Sequence, residues 1–149
     1  MNTTSSVLAT VHAVSVYVLD TSAILRLLDR EAGGDRVYQL LQFCNAGQCK
    51  AAISAVNWGE LAAKLYKRHG SQIQTTALSH LLAQKIEVIP ATADRAERSG
   101  VLHARLGISF ADSFGVELAQ STPNSMLVTA DYGVKPAETT VQTEFLPAK

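Results

Sequence analysis

The sequence predicts an α/β fold, one domain in which a mostly parallel sheet is sandwiched by helices. Short β-rich apolar runs of five or six residues alternate with longer stretches whose apolar positions recur at helical spacing. Strands separated by helices pair in parallel through right-handed crossovers. With 149 residues, 47% of them hydrophobic, the chain can bury one sizeable core, and nothing resembling a linker or repeat divides it.

The elements follow in order. "SVYVL" reads as a buried strand, and "TSAILRLLDRE" as a helix opened by hydroxyl residues. Gly33-Gly34 breaks that helix, and "DRVYQLLQFCNAG" is the next one, with Asp35 as the expected N-cap. "KAAISA" is a short strand, after which "VNWGELAAKLYKRHG" places Val56, Leu61 and Leu65 on one helical face and stops at Gly70. The helix "SQIQTTALSHLLAQ" and the strand "IEVIP" come next. Gly107 separates two further helices, "TADRAERSGVLHARLG" and "SFADSFGVELAQS". The strand "SMLVT", the turn "ADYGVKP" and an extended piece near "TTVQTEFL" complete the pattern.

Composition narrows the function classes. Thirteen basic residues balance thirteen acidic ones, so any nucleic-acid contact must be local rather than driven by a global field. No apolar run approaches the ~20 residues of a membrane span. Residues 1–14, "MNTTSSVLATVHAV", have no basic residue ahead of a weak apolar stretch, which argues against a secretory signal and for a flexible extension of a cytoplasmic protein. Cys44 and Cys49 lack the second pair of a zinc site and read as reduced structural thiols. The four histidines show no ligand spacing.

Four acids fall where parallel sheets bind ligands, at strand C-termini and the helix starts beyond them. Asp20 ends the first strand and Asp131 follows "SMLVT"; Glu60 and Asp112 lie early in helices that follow a strand or a loop. Each has an ordinary alternative: an N-cap for Asp20, a dipole-complementing acid for Asp112, a turn residue for Asp131. Glu60 resists one, standing in the apolar run "WGELAA". If the four converge, each like-charged pair at ~6 Å and an effective dielectric of about 20 repels by roughly 3 kcal/mol. Protons or a cation must neutralise them, and hard oxygen donors suit Mg²⁺ or Mn²⁺ rather than zinc. Such a cage beside helix N-termini attracts phosphate, and metal-assisted phosphodiester hydrolysis is the matching chemistry.

The segments "VYVLDTSAIL", "ISAVNWGELAAKL", "LGISFADSFGVELA" and "LVTADYG", in this order, resemble PIN-domain ribonucleases, and within them the VapC toxins of toxin–antitoxin pairs. The likeness spans about residues 15–147, so that 15–149 forms the PIN-like domain. It implies a three-layer α/β/α sandwich whose sheet gathers Asp20, Glu60, Asp112 and Asp131 at one edge as ligands of Mg²⁺ or Mn²⁺. Asp20 and Asp112 are the expected principal ligands, with Glu60 direct or through water, and the ion activates a water that cuts RNA. Thr21 and Ser22 match the family's "DTS", and their hydroxyls, or the backbone N–H groups at that helix start, are expected to hold a metal-bound water or a phosphate. Thr129, just ahead of the last acid, is expected to orient Asp131 from behind, and Asn57 matches the family's asparagine near Glu60. The chain departs from the pattern at Gly115 and Glu117, and at Tyr132-Gly133 after the last acid. Glu117 lies five residues beyond Asp112, about 140° round the helix, and is not counted as a ligand.

The resemblance also implies partners: an RNA substrate, a VapB-like antitoxin that inserts a basic side chain into the acidic site, and a second copy in a homodimer. Arg26, Lys64, Lys67 and Arg68 are candidate RNA-binding cations, and Trp58, Leu61 and Leu65 candidate apolar contacts for the antitoxin, though core packing competes for at least two of them. Two rivals stand beside this reading. "LDTS" could mark a phospho-aspartyl phosphatase, but the second aspartate that chemistry needs is Ser22 here. Alternatively the fold is a non-catalytic RNA- or protein-binding module, for which keeping four mutually repulsive acids has no purpose.

Overall fold

A computed structural model describes residues 14–149, so the expected extension over 1–14 lies, apart from Val14, outside the described residues. Five strands form one sheet: β1 (Val16–Leu19), β2 (Lys50–Ser54), β3 (Ile86–Ile89), β4 (Ser125–Thr129) and β5 (Thr143–Phe145). Their order is β3-β2-β1-β4-β5, and every pairing is parallel. The sequence-derived α/β/α sandwich is therefore correct, and the sheet is parallel throughout.

Helices α1 (Thr21–Leu28) and α2 (Gly34–Asn45) connect β1 to β2, and α3 (Ala55–His69) and α4 (Ser71–Ala83) connect β2 to β3. The chain then crosses back over the sheet through α5 (Ala93–Leu106) and α6 (Phe110–Gln120) to reach β4. A right-handed crossover running in the opposite direction lies on the opposite face, so α5 and α6 cover the other side. Strand residues alternate between the two cores accordingly. Leu19, Ala51, Ile53 and Val128 pack with α1 to α4, while Val18, Ala52 and Leu127 pack with α5 and α6.

Hydroxyl side chains set three helix starts. Ser54 accepts from the N–H of Val56, Thr92 from Arg95 and Ser109 from Asp112. Ser54 thus pulls Ala55 out of the expected strand and into α3. Contrary to the expectation from sequence, Asp35 does not cap α2; Gly33 holds that position at φ +87°, and Asp35 lies in the first turn. A side chain on Gly33 would come within 2.8 Å of the Leu146 Cβ, so the C-terminal segment packs directly on this turn. The expected turn after β4 contains a short 3-10 helix, Tyr132–Ala137.

Candidate functional site

Strand order reverses between β1 and β4, and a crevice opens beyond the carboxyl ends of neighbouring strands at such a point. Asp20 follows β1 there, and Thr129, Ala130 and Asp131 end or follow β4. Asp20 occupies the N-cap of α1 without using its side chain as a cap. Instead Oδ2 accepts from the Thr129 hydroxyl at 2.8 Å and from the Ser22 hydroxyl at 2.9 Å. Each hydroxyl in turn accepts a backbone N–H: Ser22 from Ala130 at 2.9 Å, Thr129 from Asp131 at 3.0 Å. Two donor chains therefore converge on one oxygen, and Oδ1 accepts no hydrogen bond among the described residues.

Asp20 is 3% exposed and Asp112 7%. Burial pushes the Asp20 carboxyl above its ordinary range, against the two hydroxyl donors, and the charges of Glu60 and Asp131 push the same way. Asp112 is raised to about 7, first by burial and then by Asp20, with Asp131 adding to the rise and the Ser109 hydroxyl opposing it. The four acids are thus felt at one edge, drawn from β1, α3, α6 and the turn after β4.

Their roles differ. Asp131 is exposed, and its Oδ1 accepts the Gly133 N–H at 2.8 Å, so it also serves as the turn residue of the ordinary reading. Glu60 is half-exposed, with the Lys64 ammonium 3.9 Å away. Among the described residues, no three His, Cys, Asp or Glu side chains are gathered closely enough to hold an ion between them. That does not disqualify Mg²⁺, which keeps most of its waters and is commonly bound by one or two carboxylates plus substrate phosphates. All-oxygen donors, a carboxylate oxygen left without a partner and two acids raised first by burial and then by neighbouring charge fit such an ion.

A second layer fixes the elements that carry the acids. The Thr21 hydroxyl donates to the Asn57 carbonyl at 2.9 Å, and Asn57 Nδ2 donates to the Ala111 carbonyl at 3.0 Å. Asn57, fully buried, therefore bridges the starts of α1, α3 and α6, next to Asp20, Glu60 and Asp112. Thr21 is buried and committed to that bond, so its hydroxyl is not available to a phosphate or water, contrary to expectation. Ser22 likewise serves Asp20 directly.

Other expectations are corrected. Arg26 is 7% exposed, and its guanidinium donates to the Ala32 and Pro147 carbonyls; it is a structural clamp, not an RNA-binding cation. Arg68 pairs with Asp29. Lys64 and Lys67 remain on the exposed face of α3. Leu61 and Leu65 are core residues and Trp58 packs against that core, which leaves little apolar surface there. Glu117 points away from the acids, as its helical angle required, into a clamp with Arg95 and Arg98 of α5. Sequence reading missed these two arginines and the Ser109 cap on Asp112. Only the cap had a signal, a serine three residues ahead of the acid.

A model of the PIN domain matches residues 17–137. No curated protein matches the chain. Among solved structures, the chain is similar to VapBC2 from Rickettsia felis bound to a DNA fragment from its promoter, at 21% identity and a TM-score of 0.69, covering 89% of this chain and 99% of that one. A toxin–antitoxin complex from Klebsiella pneumoniae gives 26% identity and 0.57 over 78% and 87% of the two chains. Mycobacterium tuberculosis VapC20, a toxin that cleaves the Sarcin-Ricin loop, gives 21% and 0.60 over 76% and 87%.

Proposed function

The chain belongs to the PIN domain family, and from that premise we propose that it is a metal-dependent endoribonuclease, the toxin of a toxin–antitoxin pair. The observation that carries this reading is the Asp20 carboxylate at the strand-order reversal, oriented through one oxygen while the other is left open beside Asp112. The toxin assignment rests on the chain's similarity to toxin–antitoxin structures, the Klebsiella pneumoniae complex foremost.

In this reading Asp20 and Asp112 would hold Mg²⁺ or Mn²⁺, with Glu60 joining them directly or through water and Asp131 at the rim. When bound, the ion supplies charge neutralisation at a phosphodiester and a more acidic water for in-line attack. The chain's own groups do the rest. Ser22 and Thr129 hold Asp20 in one orientation and favour its ionised form. Asn57 keeps α1, α3 and α6 in register, so the acids meet the scissile phosphate together. The carboxylate least engaged by the ion is available to accept a proton from the attacking water. Lys64 and Lys67 are the remaining local cations for the RNA backbone. A VapB-like antitoxin and a second copy of the chain are the partners this reading carries.

The test is Asp20→Asn beside the wild type. Outer-shell changes around metals already cost about 10–100-fold, so losing a principal ligand should lower RNA cleavage in Mg²⁺ by more than ~100-fold while the fold persists. Growth arrest with fragmented cellular RNA is expected from the wild type only. An Asp20→Asn protein that cleaves RNA at the wild-type rate would rule the mechanism out. Wild-type protein that binds RNA but takes up no Mn²⁺ in calorimetry would favour a non-catalytic module.

A further inference from the structure

At the end of the sheet opposite the acids, α2 closes at Asn45 and β2 begins at Lys50, so Cys44 and Cys49 flank the turn between them. The helix ends on Gly47 at φ +86°; its N–H donates to the Cys44 carbonyl at 3.0 Å, and the Gln48 N–H to the Phe43 carbonyl at 3.0 Å. This glycine-closed turn satisfies the last helical carbonyls and doubles the chain back on itself. Cys49 therefore returns alongside Cys44. Both thiols line one cavity of about 220 Å³ with Lys50, Ala51, Lys85 and Glu87. Both are free; Cys44 is buried in the larger core, and Cys49 packs against that core while staying partly open to solvent. Burial, with a hydrogen bond and charge from Cys49, pushes the Cys44 thiol up to about 12.

We propose that Cys44 and Cys49 are a redox-active thiol pair, which a small-molecule disulfide such as oxidised glutathione converts to an intramolecular disulfide tying the end of α2 to the start of β2. The inference stands on the shared cavity and the doubled-back turn, and is independent of the nuclease reading. The two thiols have unequal parts. Cys49, the accessible one, attacks as thiolate; the glutathione S–S bond breaks, one glutathione thiolate leaves with the electron pair, and Cys49 carries the other as a mixed disulfide. Cys44 then gives its proton to water, and its sulfur displaces the second glutathione from Cys49. Two protein thiols lose two electrons and one glutathione disulfide becomes two thiols, so the exchange balances. A buried thiol cannot be reached by glutathione directly but can reach a sulfur beside it, which makes Cys44 the resolving partner.

The experiment incubates the folded full-length chain with oxidised glutathione and follows intact mass, alkylation after unfolding, and a non-reducing peptide map. Expected are a loss of two hydrogen masses, no retained glutathione, both thiols protected from alkylation, a peptide joining Cys44 to Cys49, and reversal by dithiothreitol. Cys44→Ala should stop at one glutathione held on Cys49. Wild-type protein that retains glutathione on Cys49 while Cys44 stays open to alkylation would overturn the proposal, as would both thiols remaining free. The wild-type map decides the matter even if the alanine variant fails to fold.

Discussion

The Thr129 hydroxyl reaches across the strand-order reversal to donate to Asp20 at 2.8 Å, while accepting the Asp131 N–H at 3.0 Å. One side chain thus couples both strands of the crevice to the same carboxylate. Thr129→Val keeps the shape and removes the donor. The buried Asp20 then loses one of the two bonds that favour its ionised form, and the expected result is about 10–100-fold weaker Mn²⁺ affinity, with Thr129→Ser recovering most of it. Calorimetric titration across pH 6–8 is the check; affinity unchanged in the valine variant would remove Thr129 from any role at the site.

Asp112 gives the pH dependence its sign. Its carboxyl is raised from 3.8 to about 7 in the folded chain, chiefly by burial and then by Asp20. The folded state therefore binds that proton more tightly than the unfolded state, and its contribution is full below pH 4. Between about pH 4 and pH 7 the contribution is lost, and above that range it is level. One pKa unit is worth about 1.4 kcal/mol, and 1 kcal/mol moves the melting temperature of a domain this size by about 2–4 °C. Metal-free protein should lose several degrees from this group between pH 5 and pH 8. Asp112→Asn should flatten that part of the profile, and saturating Mg²⁺ should raise the wild-type melting temperature at pH 8 more than at pH 5. Parallel melting curves for wild type and variant, flat relative to one another across that range, would contradict the assigned shift.

The bridge through Asn57 separates positioning from ligation. Asn57→Ala keeps the main-chain carbonyl that accepts from Thr21 but deletes the side-chain bond to the Ala111 carbonyl that ties α3 to α6, a cost of about 0.5–1.5 kcal/mol. Because the residue touches no substrate atom in the proposed reading, kcat should fall while Mn²⁺ affinity changes less than in the Thr129 variant. A loss confined to metal affinity, with kcat intact at saturating Mn²⁺, would mean that Asn57 acts on the ion rather than on the alignment of α3 and α6.

Much of this was legible because a carboxylate at the end of a buried strand is costly and conspicuous. Asp20 and Asp112 stand out by position alone, and the alternation of strands and helices fixes which edge they share. Asn57 was visible only through its match to the family's asparagine, and its partner is a backbone carbonyl of Ala111, which no side-chain pattern announces. The same reason hid Arg26, whose acceptors are the carbonyls of Ala32 and Pro147. Asp35 misled for a local reason: capping preference favours aspartate over glycine, yet the packing of Leu146 on Gly33 leaves no room for a side chain at the cap.

Glu117 supplies a control on the four acids at the sheet edge. It is 1% exposed, and its two oxygens accept from Arg95 and Arg98 at 3.0 Å each, tying α5 to α6. Glu117→Gln keeps the size and removes the charge, and the expected loss of stability is about 1–3 kcal/mol. Cleavage per folded molecule should not change. Denaturant unfolding beside an RNA cleavage assay tests both halves, and a large activity loss without destabilisation would place Glu117 among the ligands after all.

Arg26 discriminates a structural cation from a substrate-binding one. Its Nη1 donates to both the Ala32 and Pro147 carbonyls, holding the C-terminal segment over the turn between α1 and α2. The same segment meets Gly33 and accepts the Tyr132 hydroxyl at the Leu146 carbonyl, 2.7 Å away, so several parts of the fold depend on its seat. Arg26→Met preserves the apolar stem and deletes both charge-assisted bonds, at about 1.5–3 kcal/mol for each. Unfolding should therefore shift by roughly 3–6 kcal/mol, with the C-terminal peptide becoming the first site of limited proteolysis. A residue that instead neutralised a phosphate would lower the salt dependence of RNA binding by nearly one counterion. The variant should leave that slope as it is, because the guanidinium is buried and held against two carbonyls of its own chain.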